Sequence, residues 1–146
     1  MKMSTKGRYG LRVMLELALN YRQGPVLVDA IALSQGISGK YIHVLVGGLK
    51  SAGLLKAVRG PNGGYELARD PATITTLEIV QALEGDLSPT ECVRDASCCT
   101  RAKACAAHDI WCEVGAAMAQ VLAGRTLAEL AQQQQAKEQT GANFSI

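Results

Sequence analysis

A helix, glycine turn and helix, then a glycine-rich hairpin, then a long apolar helix predict a mainly α protein with a small β-hairpin. The architecture these features imply is a winged helix-turn-helix domain plus a long dimerisation helix. The first feature is VLVDAIALSQGISGKYIHVLVGGLKSAGLLKAV, in which two apolar-periodic segments flank Gly36. The second is GPNGG, set between short strand-like runs at residues 54–59 and 65–68. The third is the stretch from residue 105 to about 123, whose Ile110, Val114, Ala117, Met118 and Val121 fall on one side of a helix.

In chain order, Ser4 can cap a first helix in which Tyr9, Val13, Met14, Leu17, Ala18 and Tyr21 recur at helical spacing. Lys6, Arg8 and Arg12 leave that stripe, and Gly24 with Pro25 stops the helix. A short helix through Ile31 and Leu33 leads to the turn at Gly36. A second helix then runs from Ser38 to about Ala52, and Gly53 suits the left-handed residue that ends it. Its apolar side is Ile42, Leu45, Val46 and Leu49, which leaves Ser38, Gly39, Lys40, Tyr41, His43 and Val44 at its N-terminus or outer face. Gly47 and Gly48 in mid-helix cost on the order of 1 kcal/mol each relative to Ala; either close approach to another surface or simple drift accounts for them. Arg59 enters the hairpin turn, a natural place for a guanidinium to reach a minor groove beside the helix. An ordinary exposed hairpin arginine is the plainer alternative. Residues 1–70 thus form the predicted winged domain.

Thr75-Thr76-Leu77-Glu78 is a capping box that opens a helix to about Leu83, ended by Gly85. Residues 86–104 lack periodic apolar pattern and form a cysteine-rich loop, so 71–104 is a helix followed by that loop. The long helix from residue 105 would span close to 30 Å at about 1.5 Å per residue. Its Gly115, Ala116 and Ala119 are small enough for close helix contact. Such a helix needs a partner surface, either a second copy or its own domain. Gly124 breaks it, Thr126 can cap a short helix through Leu127 and Leu130, and these elements make up residues 105–132. Residues 133–146, opening QQQAKEQ, are polar and biased and are expected to be a disordered tail.

Charge separates the two halves. Residues 1–69 hold ten Lys or Arg against Glu16, Asp29 and Glu66, a net +7, whereas residues 70–146 hold five basic against ten acidic side chains, a net −5. The basic half is the candidate for a polyanion, with scattered solvated charges as the bland alternative. No apolar run reaches the roughly eighteen residues of a membrane span, and MKMSTKGRYG lacks the apolar core of a secretory signal. A cytoplasmic, soluble protein is expected. No constellation supplies a general base, a nucleophile or a phosphate loop, since GPNGG lies between strands rather than opening a helix, so an enzyme is not expected.

All five cysteines, Cys92, Cys98, Cys99, Cys105 and Cys112, lie within about twenty residues, together with His108. In a reducing compartment such clustering favours metal ligation or redox chemistry over disulfides. The readings left open are an iron–sulfur cluster, a zinc site lacking the paired Cys-x-x-Cys of most zinc knuckles, and metal-free thiol sensing by Cys98, Cys99 or Cys112. A small metalloenzyme or electron carrier is the remaining, weaker possibility.

STKGRYGLR, ISGKYIHVLVGGLKSAGLL, VRGPNGGYELA, TLEIVQALEG, the Cys92–His108 cluster and TLAEL, in that order, resemble the IscR-type family of winged-helix iron–sulfur transcription regulators over nearly the whole chain. The resemblance implies a homodimer that binds double-stranded DNA, with a cluster in the loop before the dimerisation helix in those members that have one. It implies that Ser38, Lys40, Tyr41 and His43 face the major groove and that Arg59 enters the minor groove. His43 departs from the acidic residue common at that place. The family pattern of three cysteines and a histidine implies Cys92, Cys99, Cys105 and His108 as ligands. Cys98 is the alternative to Cys99, and Cys112 is in reserve. Three thiolates and an imidazole suit a [2Fe–2S] centre ahead of a [4Fe–4S] centre. Some relatives use an acidic ligand from the partner's first helix, but Arg8 stands at that position here.

Overall fold

Helix α1 (Thr5–Leu19) is the spine of the computed structural model, which describes residues 2–144 of the chain. Ser4 caps it as its sequence requires, accepting from the Gly7 amide at 3.3 Å, and the expected stripe of Val13, Met14, Leu17 and Ala18 is buried. A second cap comes from far along the chain: the Glu84 carboxylate accepts from the amides of Ser4 at 3.0 Å and Gly7 at 3.1 Å, and from the Ser4 hydroxyl. A carboxylate placed there also opposes the positive end of the helix dipole.

Helix α2 (Val28–Gln35) ends at Gly36 in the left-handed conformation (φ 63°), and α3 (Gly39–Ser51) starts on Ser38, whose hydroxyl accepts from the Tyr41 amide at 3.2 Å. The predicted inner face of α3, Ile42, Leu45, Val46 and Leu49, is buried against α1 and α2. Each such side chain contributes roughly 1.5–3 kcal/mol of burial. Gly53 has φ 73°, and strands β1 (Leu55–Val58) and β2 (Gly64–Leu67) pair antiparallel with Leu55 opposite Leu67. Val26 adds a bridge to Tyr65 in both directions, at 2.8 and 2.9 Å, fixing the approach to α2 against the wing.

Helix α4 (Thr76–Glu84) carries the complete Thr75/Glu78 capping box. It packs against α1 and α3 through Leu83, which lies where a Cβ on Gly10 would overlap it and where one on Gly48 would stand 3.1 Å away. Gly48 is thereby explained by close packing.

The cysteine loop is more ordered than its lack of periodicity implies. It holds a one-turn helix, α5 (Glu91–Arg94), and short 3-10 turns at Ala96–Cys98 and Ala102–Ala104. Helix α6 (Ala106–Ala123) follows, and none of its residues is buried. Its far end is tied back to the domain: the Thr76 amide donates to Arg125 O at 2.9 Å, the Leu127 amide donates to Ile74 O at 2.8 Å, and the Thr76 hydroxyl donates to Leu122 O.

The expectation of a disordered tail is corrected. Helix α7 (Leu127–Phe144) opens on a Thr126/Glu129 box and continues through most of that segment, packing on α1; residues 145–146 lie outside the described residues. Polarity was the wrong cue. Between Leu127 and Thr140 there is no Gly or Pro, Gln, Ala, Lys and Glu are good helix formers, and Gln134 donates to Glu138 across one turn at 2.9 Å.

Candidate nucleic-acid interface and candidate metal centre

The outer side of α3 is open. Ser38, Lys40 and His43 are exposed, as is Val44 at 54 %, while Tyr41 is half-buried. The Tyr41 ring stands edge-on to Tyr9 at 6.1 Å, and Tyr9 lies under the guanidinium groups of Arg8 at 5.8 Å and Arg12 at 5.2 Å. Part of Tyr41 is therefore used in joining α3 to α1. Arg12 also donates to the backbone and side chain of Gln35, clamping α2.

His43 leans toward the wing, with its ring edge-on to Tyr65 at 6.5 Å. Both border a groove shared with Leu27, Asp29, Val58 and Gly64. Arg59 is exposed at the start of the wing turn, which the Gly63 amide closes by donating to Gly60 O at 3.0 Å. Gly63 has no room for a side chain, because a Cβ there would overlap Val58 O. Among the described residues no carboxylate is paired with Arg59, whereas Lys56 pairs with Glu66 and Arg69 with Glu78. Helix edge, wing arginine and intervening groove thus lie on the basic half of the chain. Tyr65 and its tie to Val26 were not anticipated as part of this face. Helix α1 ends at Leu19, earlier than the expected stop at Gly24 and Pro25; the available signal for the tie was Pro25, which cannot continue a helix and leaves Val26 free to bridge the wing.

The cysteine segment is only partly gathered. Cys92 is on α5, its sulfur 3.1 Å from the Thr90 hydroxyl. Cys98 is exposed and Cys99 half-buried beside a hollow shared with Ala96, Ser97, Thr100, Ala102 and Lys103. Partial desolvation holds the Cys98 thiol above its ordinary pKa, with the nearby carboxylates of Asp95 and Glu91 adding to it. Asp95, whose carboxylate caps the Ala96–Cys98 turn by accepting from the Ser97 hydroxyl and amide, is held low by those bonds.

Cys105 and His108 both stand at the start of α6, as the N-cap and a residue of the first turn. Cys105 is the N-cap of α6 with extended backbone (φ −112°, ψ 108°), so helical register begins only after it. The contact His108 makes is one turn onward, its Nε2 3.4 Å from Cys112 Sγ. The other ring nitrogen, Nδ1, is buried without a hydrogen-bond partner among the described residues. Among those residues, no three His, Cys, Asp or Glu side chains converge as a metal-binding group. The residues fit an iron–sulfur group in donor chemistry, with soft thiols, an imidazole and an orphaned ring nitrogen, but this conformation does not assemble them.

No helix among the described residues is long and apolar enough to cross a membrane. A family profile described as "Rrf2: Iron-dependent Transcriptional regulator" matches residues 3–133. The HTH-type transcriptional regulator CymR of Bacillus subtilis (strain 168) is 40% identical over 131 residues, covering 90% of this chain and 90% of that protein. The HTH-type transcriptional regulator IscR of Escherichia coli is 35% identical over 141 residues, covering 97% of this chain and 86% of its own. Among solved structures, that of CymR, the global cysteine regulator of B. subtilis, superposes with a TM-score of 0.77 at 40% identity, over 90% of this chain and 97% of the other. T. potens IscR superposes with a TM-score of 0.75 at 36% identity, over 91% and 88%. These relatives are transcription regulators and not enzymes, and they share the winged fold described above. With a profile spanning residues 3–133 and relatives matched along nearly their whole length, this chain belongs to the Rrf2 family of DNA-binding transcription regulators.

Proposed function

We propose that the chain is a cytoplasmic, homodimeric, sequence-specific DNA-binding regulator whose affinity for its operator is set by the state of the cysteine segment. The observation that carries the DNA reading is the exposed outer edge of α3 beside Arg59, which has no carboxylate partner among the described residues, in a half of the chain with net charge +7. Ser38, Lys40, Tyr41 and His43 would face the major groove and Arg59 the minor groove. Helix α6, with Ile110 at 49 % and Val121 at 68 % exposure, supplies the apolar face for a second copy. A dimer would place two reading helices on a two-fold site.

Cys92, Cys99, Cys105 and His108 would hold an iron–sulfur cluster, [2Fe–2S] ahead of [4Fe–4S], with Cys98 replacing Cys99 or Cys112 completing the set as the alternatives. Such a cluster, when bound, supplies a centre whose charge responds to oxidants and small ligands. The orphaned Nδ1 of His108 supports this reading, as does the iron-dependent description of the family. Transmission follows the packing. The loop lies between α4 and α6, and Leu83 at the end of α4 is wedged against Gly10 of α1 and Gly48 of α3, so ordering the loop biases the placement of the reading helix. The contact between Cys112 and His108 favours a second reading, cluster-free thiol control, with a zinc-stabilised loop as its metal-bound form.

Anaerobic purification followed by absorption spectroscopy and iron and zinc analysis separates these readings, repeated for variants of Cys92, Cys98, Cys99, Cys105, His108 and Cys112. A coloured, iron-containing protein whose operator affinity changes on cluster loss is expected. Colourless, iron-free protein from an iron-replete preparation rejects the cluster.

A further inference from the structure

We infer that Val44 and Gly47 form an apolar notch on α3 that reads a thymine methyl group in the major groove, adding a specificity element to the reading edge. This rests on the DNA-binding reading above. Helix α3 contains five large aliphatic side chains at positions 42, 44, 45, 46 and 49, and every one except Val44 is buried. Val44 is 54 % exposed, although the core beside it is otherwise closed.

Gly47 lies next to it on the same surface, three residues on, and is also exposed. The two glycines of the pair are not equivalent. Gly48 is pinned by Leu83 Cδ2 at 3.1 Å and Ala82 O at 3.4 Å from a built Cβ, whereas a Cβ on Gly47 meets nothing within 4 Å. Among the described residues nothing therefore requires glycine at 47, and its helix penalty goes uncompensated there.

Lys40 stands one turn before Val44, and His43 flanks it on the wing side, propped by Tyr65. The stripe Lys40, Val44, Gly47 is thus a cation, an isopropyl group and a bare stretch of helix along one line. Polar donors recognise base-edge acceptors, while the apolar element matches the thymine C5 methyl, the one apolar group exposed on a base edge in that groove. With no side chain at 47, the groove floor can approach the helix backbone at this point.

The test first selects the operator from random duplexes with the full-length protein, then measures Kd with each thymine replaced in turn by uracil, which removes only the methyl. At one position per half-site, uracil should weaken binding on the order of fourfold, the value of one buried methyl-sized group. Val44→Ala should weaken the thymine operator by a similar factor and be indifferent to uracil there. Gly47→Ala should raise Tm by about 2–4 °C, as a solvent-exposed helix glycine predicts, while weakening operator binding at least tenfold. A Gly47→Ala protein with raised Tm and full affinity overturns the inference, as does additive behaviour of Val44→Ala and uracil. Failure to enrich any sequence removes the DNA-binding reading, and this inference with it.

Discussion

Arg59 and Glu78 show how differently two charged residues can be placed. Arg59 is exposed on the wing turn with no carboxylate partner among the described residues, so its removal should leave stability unchanged. Arg59→Ala is expected to weaken operator binding by about 1–3 kcal/mol and to lower the salt slope of log K by about 1, measured by titration at several salt concentrations. Glu78 instead belongs to the fold. It accepts from the Thr75 amide at 2.8 Å and from Arg69, and the first of these bonds is the main reason its carboxyl lies below the ordinary value of 4.5. A depressed folded-state pKa stabilises above the unfolded value and is lost as pH falls through the folded one. Melting curves from pH 7 to pH 3 should therefore show wild type losing its advantage over Glu78→Gln below about pH 4.5, with a parallel pH dependence counting against this account.

Among the elements, α1, α3 and α4 meet through Gly10 and Gly48, both packed against Leu83, so an added methyl is felt there. Gly10→Ala puts a Cβ where Leu83 Cδ1 already sits, so despite alanine's better helix propensity it should destabilise by about 1–3 kcal/mol in urea unfolding. The tail gives a second element-scale expectation. Removing residues 133–146 should lower the helical circular dichroism signal yet change Tm little, because the α7 anchor Leu127 is retained and the deleted part is largely exposed. Periodicity and caps placed α1 to α4 and the wing, since Ser4, Ser38, the Thr75 box, Gly36 and Gly53 act locally. Long-range ties were not legible. Glu84 capping α1, Val26 bridging Tyr65 and Leu83 seated between glycines depend on contacts between distant parts of the chain. At the cysteine segment, spacing named candidate donors, but it could not show how the fold disposes them: among the described residues no three of them converge, because the loop carrying Cys92, Cys98 and Cys99 is built from its own short turns.

For the whole molecule, the decisive quantity is the apolar surface α6 leaves uncovered. Sedimentation should find a dimer at micromolar concentration, and Val121→Glu with Ile110→Glu should shift it to monomer and reduce operator affinity while keeping the winged domain folded. The single tryptophan, Trp111, is 37 % exposed on the same helix and gives a fluorescence readout of that transition. The fastening of α6 at its far end, by Thr76 to Leu122 and Arg125 and by Leu127 to Ile74, has a mechanical consequence. The helix is fastened beside α4 at one end, with Cys105 at its other end about 27 Å away by helix rise and α5 packed alongside. A tilt of about 10° at that fastening carries the Cys105 end through roughly 5 Å by the same helix length. Run in reverse, a displacement of a few ångströms at Cys105 corresponds to a rotation of only a few degrees at the Thr76 and Leu127 fastening.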